Sequence, residues 1–190
     1  MTSQELLQEF IELGALKEGH FQLTSGLHSQ QYVQCAAVFE YPNKAKKIVA
    51  ELVKKLPRDL DTVIAPAVGG INLGYEVAKA LNCRFIFAER EQGKMTLRRG
   101  FHLQPQERVL VVEDVVTTGG SVQEILEIAK NNDCRVQAVA SLVDRSGGKV
   151  DFKAPYFSLL KLEIETYSPE NCSLCKAGVP IMKPGSRGSK

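Results

Sequence analysis

Uninterrupted apolar runs constrain this chain more than any other feature. Thr62-Val63-Ile64-Ala65, Val109-Leu110-Val111-Val112 and the stretch Val136 to Val143 carry few polar breaks. A strand of that kind has no solvent face and must be covered on both sides. Arg84-Phe85-Ile86-Phe87-Ala88 predicts a further strand. Helical patterns lie between the runs. From Asn43, residues Ala45, Ile48, Val49, Leu52, Val53 and Leu56 recur at i, i+3, i+4 spacing until Pro57 stops them. Gly69-Gly70 opens a second helix towards Asn82, and a third is expected from about Gly120 to Lys130. Strands alternating with helices predict an α/β fold with a central, mostly parallel sheet flanked by helices. Ligands of such sheets bind beyond the carboxyl ends of the strands. The turns after Ala65, Val112 and Val143 are therefore expected to meet at one place.

The turn after Val112 carries the most chemistry. Glu113-Asp114-Val115-Val116-Thr117-Thr118-Gly119-Gly120-Ser121 reads as two carboxylates, two apolar residues, then a hydroxyl- and glycine-rich turn into a helix. Backbone N–H groups at a helix N-terminus, helped by hydroxyls, hold a phosphate. Two acids ending a buried strand are expensive unless a ligand or metal occupies them, and an adjacent pair suits sugar hydroxyls or a metal-bound sugar phosphate. The turn Ala65-Pro66-Ala67-Val68-Gly69-Gly70 likewise leaves a strand and opens a helix, and its glycines let amides approach a ligand closely. It is neither a Walker A loop nor a G-x-G-x-x-G fingerprint.

Glu89 to Glu107 is expected to be a long polar loop, with Arg90, Lys94, Arg98 and Arg99 between Gly93 and Gly100. Beside a phosphate cradle, such a loop reads as a cationic lid. A first helix is expected through about Leu13, with Thr2 and Glu5 as its capping box. His20 to Ala37 reads as irregular, and the tail from Ser168 as partly mobile.

A net charge of +2 gives no nucleic-acid or membrane signal, and no apolar stretch approaches the ~20 residues of a membrane span. The start of the chain lacks a signal-peptide pattern, and five scattered cysteines argue for a reducing cytoplasm. Cys172 and Cys175 form a C-x-x-C pair, but no second pair has metal-ligand spacing, so ordinary thiols are expected. His20, His28 and His102 have no carboxylate at a spacing that suggests a hydrolytic triad.

Residues Val109 to Ser121 resemble the phosphoribosyl-pyrophosphate (PRPP) motif of the type I phosphoribosyltransferases: four apolar residues, two acids, two apolar residues, then Thr, Ser or Gly. Phe21, Leu23, Ser25, Gly26 and Ser29 fill a pattern Phe-x-Leu-x-Ser-Gly-x-x-Ser that narrows the resemblance to the orotate phosphoribosyltransferase family. Gly69-Gly70-Ile71, Arg90, Gly93-Lys94 and Asp144-Arg145 follow in that family's order, over roughly residues 5 to 148. Pro169-Glu170-Asn171-Cys172 and Lys183-Pro184-Gly185-Ser186-Arg187 look like a bacterial and archaeal branch of it.

The resemblance implies an N-terminal helix and hood over residues 1–40, a transferase core over 41–167 and a C-terminal tail over 168–190. It implies transfer of ribose 5-phosphate from PRPP to orotate, giving orotidine 5′-monophosphate and diphosphate in pyrimidine synthesis. Mg²⁺ would be the cofactor, bound mainly through PRPP and water near Glu113 and Asp114, in a cytoplasmic homodimer. Lys94, Glu113 and Asp114 would be catalytic. PRPP would meet Val68, Gly69, Arg90, Lys94, Arg98, Glu113, Asp114, Val115, Val116, Thr117, Thr118, Gly119, Gly120 and Ser121. Orotate would meet Thr24, Ser25, Tyr32, Thr117 and Arg145, the last with its planar fork on the carboxylate. A non-proline cis peptide is expected at Ala67–Val68. Two other readings stand beside this one: a transferase for a purine or uracil, and a non-catalytic PRPP-binding regulator.

Overall fold

The computed structural model of the chain describes residues 1–23 and 25–184. Thr24 and the Gly185-Ser186-Arg187 part of the tail motif lie outside the described residues.

The first helix, α1 (Ser3–Glu12), starts at the expected box: Glu5 N–H donates to Thr2 Oγ1 at 3.2 Å, and Thr2 N–H donates to the Glu5 carboxylate at 2.7 Å. Where irregular chain was expected there is an antiparallel hairpin, β1 (Leu16–Gln22) and β2 (His28–Val33), followed by a 3-10 turn over Cys35–Glu40. The hairpin escaped the periodicity because a bulge between Glu18 and Phe21 breaks the alternation of faces.

Helix α2 (Pro42–Val53) turns Ala45, Ile48, Val49, Leu52 and Val53 inward, as its spacing predicts. The core continues through β3 (Thr62–Pro66), α3 (Gly70–Leu81), β4 (Arg84–Glu91), β5 (Lys94–Leu97), β6 (Arg108–Val116), α4 (Gly120–Asn131), β7 (Arg135–Asp144) and β8 (Tyr156–Lys161). Six strands form one sheet in the order β5-β4-β3-β6-β7-β8, parallel except for the β4–β5 pair. Alternate residues of β6 face opposite layers. Leu110 and Val112 join a core with α1, α2 and α3, whereas Val109 and Val111 join Val122, Ile125 and Ala129 of α4. Both faces are thus covered, which is why the run is apolar throughout.

The small second sheet draws on distant parts of the chain. Strand β9 (Thr166–Tyr167) pairs with β2, and Met182 exchanges backbone hydrogen bonds with β1, accepting from Gln22 at 2.8 Å and donating to His20 at 2.7 Å. Between these contacts lies a short helix, α5 (Ser173–Lys176). The tail expected to be partly mobile is therefore tied to the hood as far as Met182. Among the described residues, no helix is long and apolar enough to cross a membrane.

Candidate active site

Strand order reverses between β3 and β6. The chain leaves β3 through α3 towards β4 on one side, and leaves β6 through α4 towards β7 on the other. Such a switch point opens a crevice beyond the carboxyl ends of the two strands. The two turns picked out for phosphate chemistry both start there.

On the β3 side, the Ala67–Val68 peptide is cis, as expected. Ala67 N–H donates to Ala88 O at 2.8 Å, which ties the turn to β4, and Val68 is 82% exposed. Gly69 precedes α3, whose N-terminus has no side-chain cap. A β-carbon on Gly69 would lie 2.9 Å from both carboxylate oxygens of Asp114. The turn and the acid pair are therefore in direct contact, and any side chain at Gly69 would push the Asp114 carboxylate aside.

On the β6 side, the strand does not stop at Val112 but carries the acids within it, as far as Val116. Pairing with β7, Glu113 beside Ser141 and Val115 beside Val143, extends the strand past the apolar run. Glu113 and Asp114 are half-buried. Glu113 accepts from Asp114 N–H at 3.1 Å, and Asp114 accepts from Val115 N–H at 2.8 Å. Burial, with the Asp114 charge next in importance, pushes the Glu113 carboxyl well above the usual carboxylate range. Among the described residues, no Lys or Arg forms an ion pair with either acid. Cys35 approaches from beneath, its thiol 3.7 Å from Asp114 O, and burial and the acid pair raise its pKa.

The turn into α4 completes the cradle. Gly119 has φ +77°, and a β-carbon there would meet Phe152 at 2.9 Å, so glycine is required on both counts. Helix α4 lacks a side-chain cap. Its first-turn N–H groups are thus left for a ligand, at a cavity of about 60 Å³ lined by Glu113 and residues 115–122. That volume suits one phosphate group rather than a whole substrate.

The basic segment is a loop only from Arg98 to Glu107; its first half is a hairpin. Strand β4 continues to Glu91, turns at Gln92-Gly93 with φ of 48° and 85°, and returns as β5 with Glu91 opposite Lys94. Its polar residues hid a strand anchored by buried Met95 and by Phe87 against Phe101, 5.1 Å between ring centres. Three of the four cations are partnered. Arg90 grips Glu124 of α4 with bonds of 3.0 and 2.5 Å and donates to Gly93 O at 2.8 Å. Arg99 grips Glu89 at 2.7 and 2.9 Å over the Phe87 ring, and Arg98 lies 3.4 Å from Glu91. Lys94, exposed at the turn, has no acidic partner among the described residues. Glu124 was not among the expected site residues; its signal was an acid just past the first turn of a helix that starts at the cradle.

Arg145 follows β7 and donates its backbone N–H to Val116 O at 2.7 Å, which sets it beside the end of β6. Its Nε is buried with no hydrogen-bond partner. Burial lowers its pKa, while nearby Tyr32 acts the other way. Tyr32 packs on Phe21, 5.6 Å between ring centres, and so brings the hood to Arg145. Ser25 is exposed in the hood turn, where it accepts from Leu27 N–H at 3.4 Å, and Thr117 is exposed at the cradle. Thr24, expected on the base side, lies outside the described residues.

The crevice at the switch point brings together an acid pair, an amide cradle and a second uncapped helix, groups suited to a phosphorylated sugar. A phosphoribosyl transferase domain matches residues 37–173, and the chain belongs to that family. Its relatives include the orotate phosphoribosyltransferase of Caldicellulosiruptor bescii, 56% identical over 188 residues that cover 98% of this chain and 99% of that one. The orotate phosphoribosyltransferase of Thermotoga maritima is 55% identical over 187 residues, covering 97% and 100%. The crystal structure of orotate phosphoribosyltransferase from Aeropyrum pernix matches with a TM-score of 0.71 at 25% identity, covering 83% of this chain and 94% of that one.

Proposed function

We propose that the chain transfers ribose 5-phosphate from PRPP to N1 of orotate, giving orotidine 5′-monophosphate and diphosphate. One observation carries the reading: a half-buried acid pair, with no cation partner among the described residues, faces Gly69 across the switch point. The high identity to orotate phosphoribosyltransferases, and an Arg145 fork with a buried, unpartnered Nε, support orotate as the base.

The chemistry asks for position and charge rather than a protein nucleophile. The N1 of orotate attacks C1′ as the bond to diphosphate breaks, through an oxocarbenium-like transition state, and the N1 proton is lost to water. Residues Thr117 to Ser121 hold the 5′-phosphate on the α4 amides. Glu113 and Asp114 take the ribose hydroxyls. Val68 and Gly69 offer backbone amides to the diphosphate, and Lys94 closes on it as charge develops there. Arg90 and Arg98 contribute by exchanging Glu124 and Glu91 for diphosphate oxygens. Arg145 grips the orotate carboxylate, and Thr24, Ser25 and Tyr32 cover the ring from the hood.

The donor set fits Mg²⁺: Glu113 and Asp114 supply hard oxygens, with no cation paired to them among the described residues. Bound there, the ion would help neutralise the leaving diphosphate. The reading extends to a cytoplasmic homodimer, and five free cysteines are in keeping with a reducing compartment.

The test mixes the protein with PRPP, Mg²⁺ and orotate and follows the loss of orotate absorbance. Uracil and hypoxanthine run in parallel. Turnover with orotate alone supports the reading; turnover with either other base and none with orotate replaces it.

A further inference from the structure

Four side chains with no part in the phosphoribosyl site converge beneath the hood. His20 comes from β1, His28 from β2, and Cys172 and Cys175 from the segment that carries α5. One ligand atom from each lies within 4.8 Å of all the others. His20 Nε2 and His28 Nδ1 are 3.1 Å apart, and Cys175 Sγ is 3.2 Å from His28 Nδ1. His20 Nε2 lies 3.5 Å from Cys172 Sγ and 3.6 Å from Cys175 Sγ. His20, His28 and Cys172 are buried, Cys175 is exposed, and both thiols are free of disulfides.

We propose that these residues form a Cys₂His₂ site for one structural zinc ion, which staples the segment at Cys172–Cys175 to the hood hairpin. Zinc binds thiolate sulfur at about 2.3 Å and imidazole nitrogen at about 2.0–2.1 Å, which sets tetrahedral ligand atoms about 3.3–3.8 Å apart. Separations of 3.1, 3.2, 3.5 and 3.6 Å already approach those edges.

The protonation pattern points the same way. His20 Nδ1 is 2.8 Å from Val179 O, an atom that can only accept, so Nδ1 carries the proton and Nε2 presents its lone pair to the cluster. If His28 is protonated at Nδ1, it takes that one lone pair and both thiols lose their imidazole acceptor. If it is not, two lone pairs face each other across 3.1 Å. A cation at the centre satisfies all four atoms. Two thiolates balance its charge, which makes burial tolerable. The soft sulfur pair selects zinc rather than the oxygen-loving Mg²⁺. The four atoms are also too close together for a two-iron cluster, which would hold its His-bound and Cys-bound irons apart. With four protein ligands the site is closed, hence structural rather than catalytic. The loop from Cys175 to Met182, which feeds its backbone into β1, would be fixed by the same ion.

The assignment does not rest on the catalytic reading, and its test is independent of turnover. Wild-type protein purified without chelators is analysed for metals, then stripped and reloaded with cobalt(II). About one zinc ion per chain, and a cobalt spectrum with the d–d bands of tetrahedral geometry and sulfur-to-cobalt charge transfer, support it. Chelation lowers the melting temperature by at least about 5 °C, and zinc but not Mg²⁺ restores it. Cys175→Ser, at the exposed ligand, weakens the charge-transfer band and metal retention while the fold measured by circular dichroism persists. Less than about a tenth of an equivalent of zinc, with no thiolate–cobalt band after reloading under reducing conditions, overturns the proposal.

Discussion

Gly69 and Asp114 meet across the switch point so closely that a single methyl group on the glycine would sit 2.9 Å from both oxygens of the carboxylate. The φ of Gly69 is −58°, which alanine adopts freely, so any effect of Gly69→Ala comes from that contact and not from backbone strain. The acid must turn away or the turn must withdraw. The KM for PRPP is expected to rise by about 10-fold or more, with the KM for orotate and the melting temperature nearly unchanged. Steady-state kinetics with PRPP varied checks this; an unaltered PRPP constant would show that the two turns do not share a ligand.

Lys94 is separable from its basic neighbours. It has no ion pair among the described residues, so Lys94→Ala removes no structural contact. Turnover is expected to fall by about 100-fold or more, while PRPP affinity, measured by calorimetry, stays within about threefold. Unchanged turnover would refute its role at the leaving group.

Glu113 predicts how stability depends on pH. Its folded pKa, at about 9, lies above its unfolded value of about 4.3. Its neutral form therefore contributes stability that is complete below the unfolded value and is lost as pH rises through the folded one. Glu113→Gln keeps the shape and removes the titration. In Mg²⁺-free buffer, wild type and variant are expected to melt alike near pH 5. The variant should melt higher by about 3 °C or more near pH 9. A constant difference across that range contradicts the assignment.

Arg145 offers a bidentate fork with one buried nitrogen still unpartnered. Arg145→Lys keeps the charge and loses the fork. The KM for orotate is expected to rise by about 10-fold or more, with that for PRPP within about twofold. Equal losses for both substrates would place the residue away from the base.

The parts readable from sequence were those whose burial is uniform. Val109 to Val112 is apolar because both faces are covered, and the acids after it stand out for the same reason. Ala45 to Val53 shows its helix because one stripe of it is buried. Strands with a wet face were harder to read. In β5 only Met95 is deeply buried, so Lys94 and Thr96 read as part of the loop that does follow from Arg98. In β1 the bulge near Gly19 breaks the period of two, so the hairpin went unread. The pairing of Arg90 with Glu124 spans 34 positions, and that of Cys172 with His20 spans 152. Spacing along a chain says nothing about partners that the fold supplies, so the C-x-x-C pair looked incomplete while its histidines stood in two facing strands.

The antiparallel hood has a consequence for how the molecule is made. Ser29 waits for Glu165, 136 positions on, and His20 for Val179, 159 positions on. The small sheet is begun near the start of synthesis and closed near its end. A nascent chain halted before β9 can hold the whole six-stranded sheet and still lack the pairing that completes the small sheet.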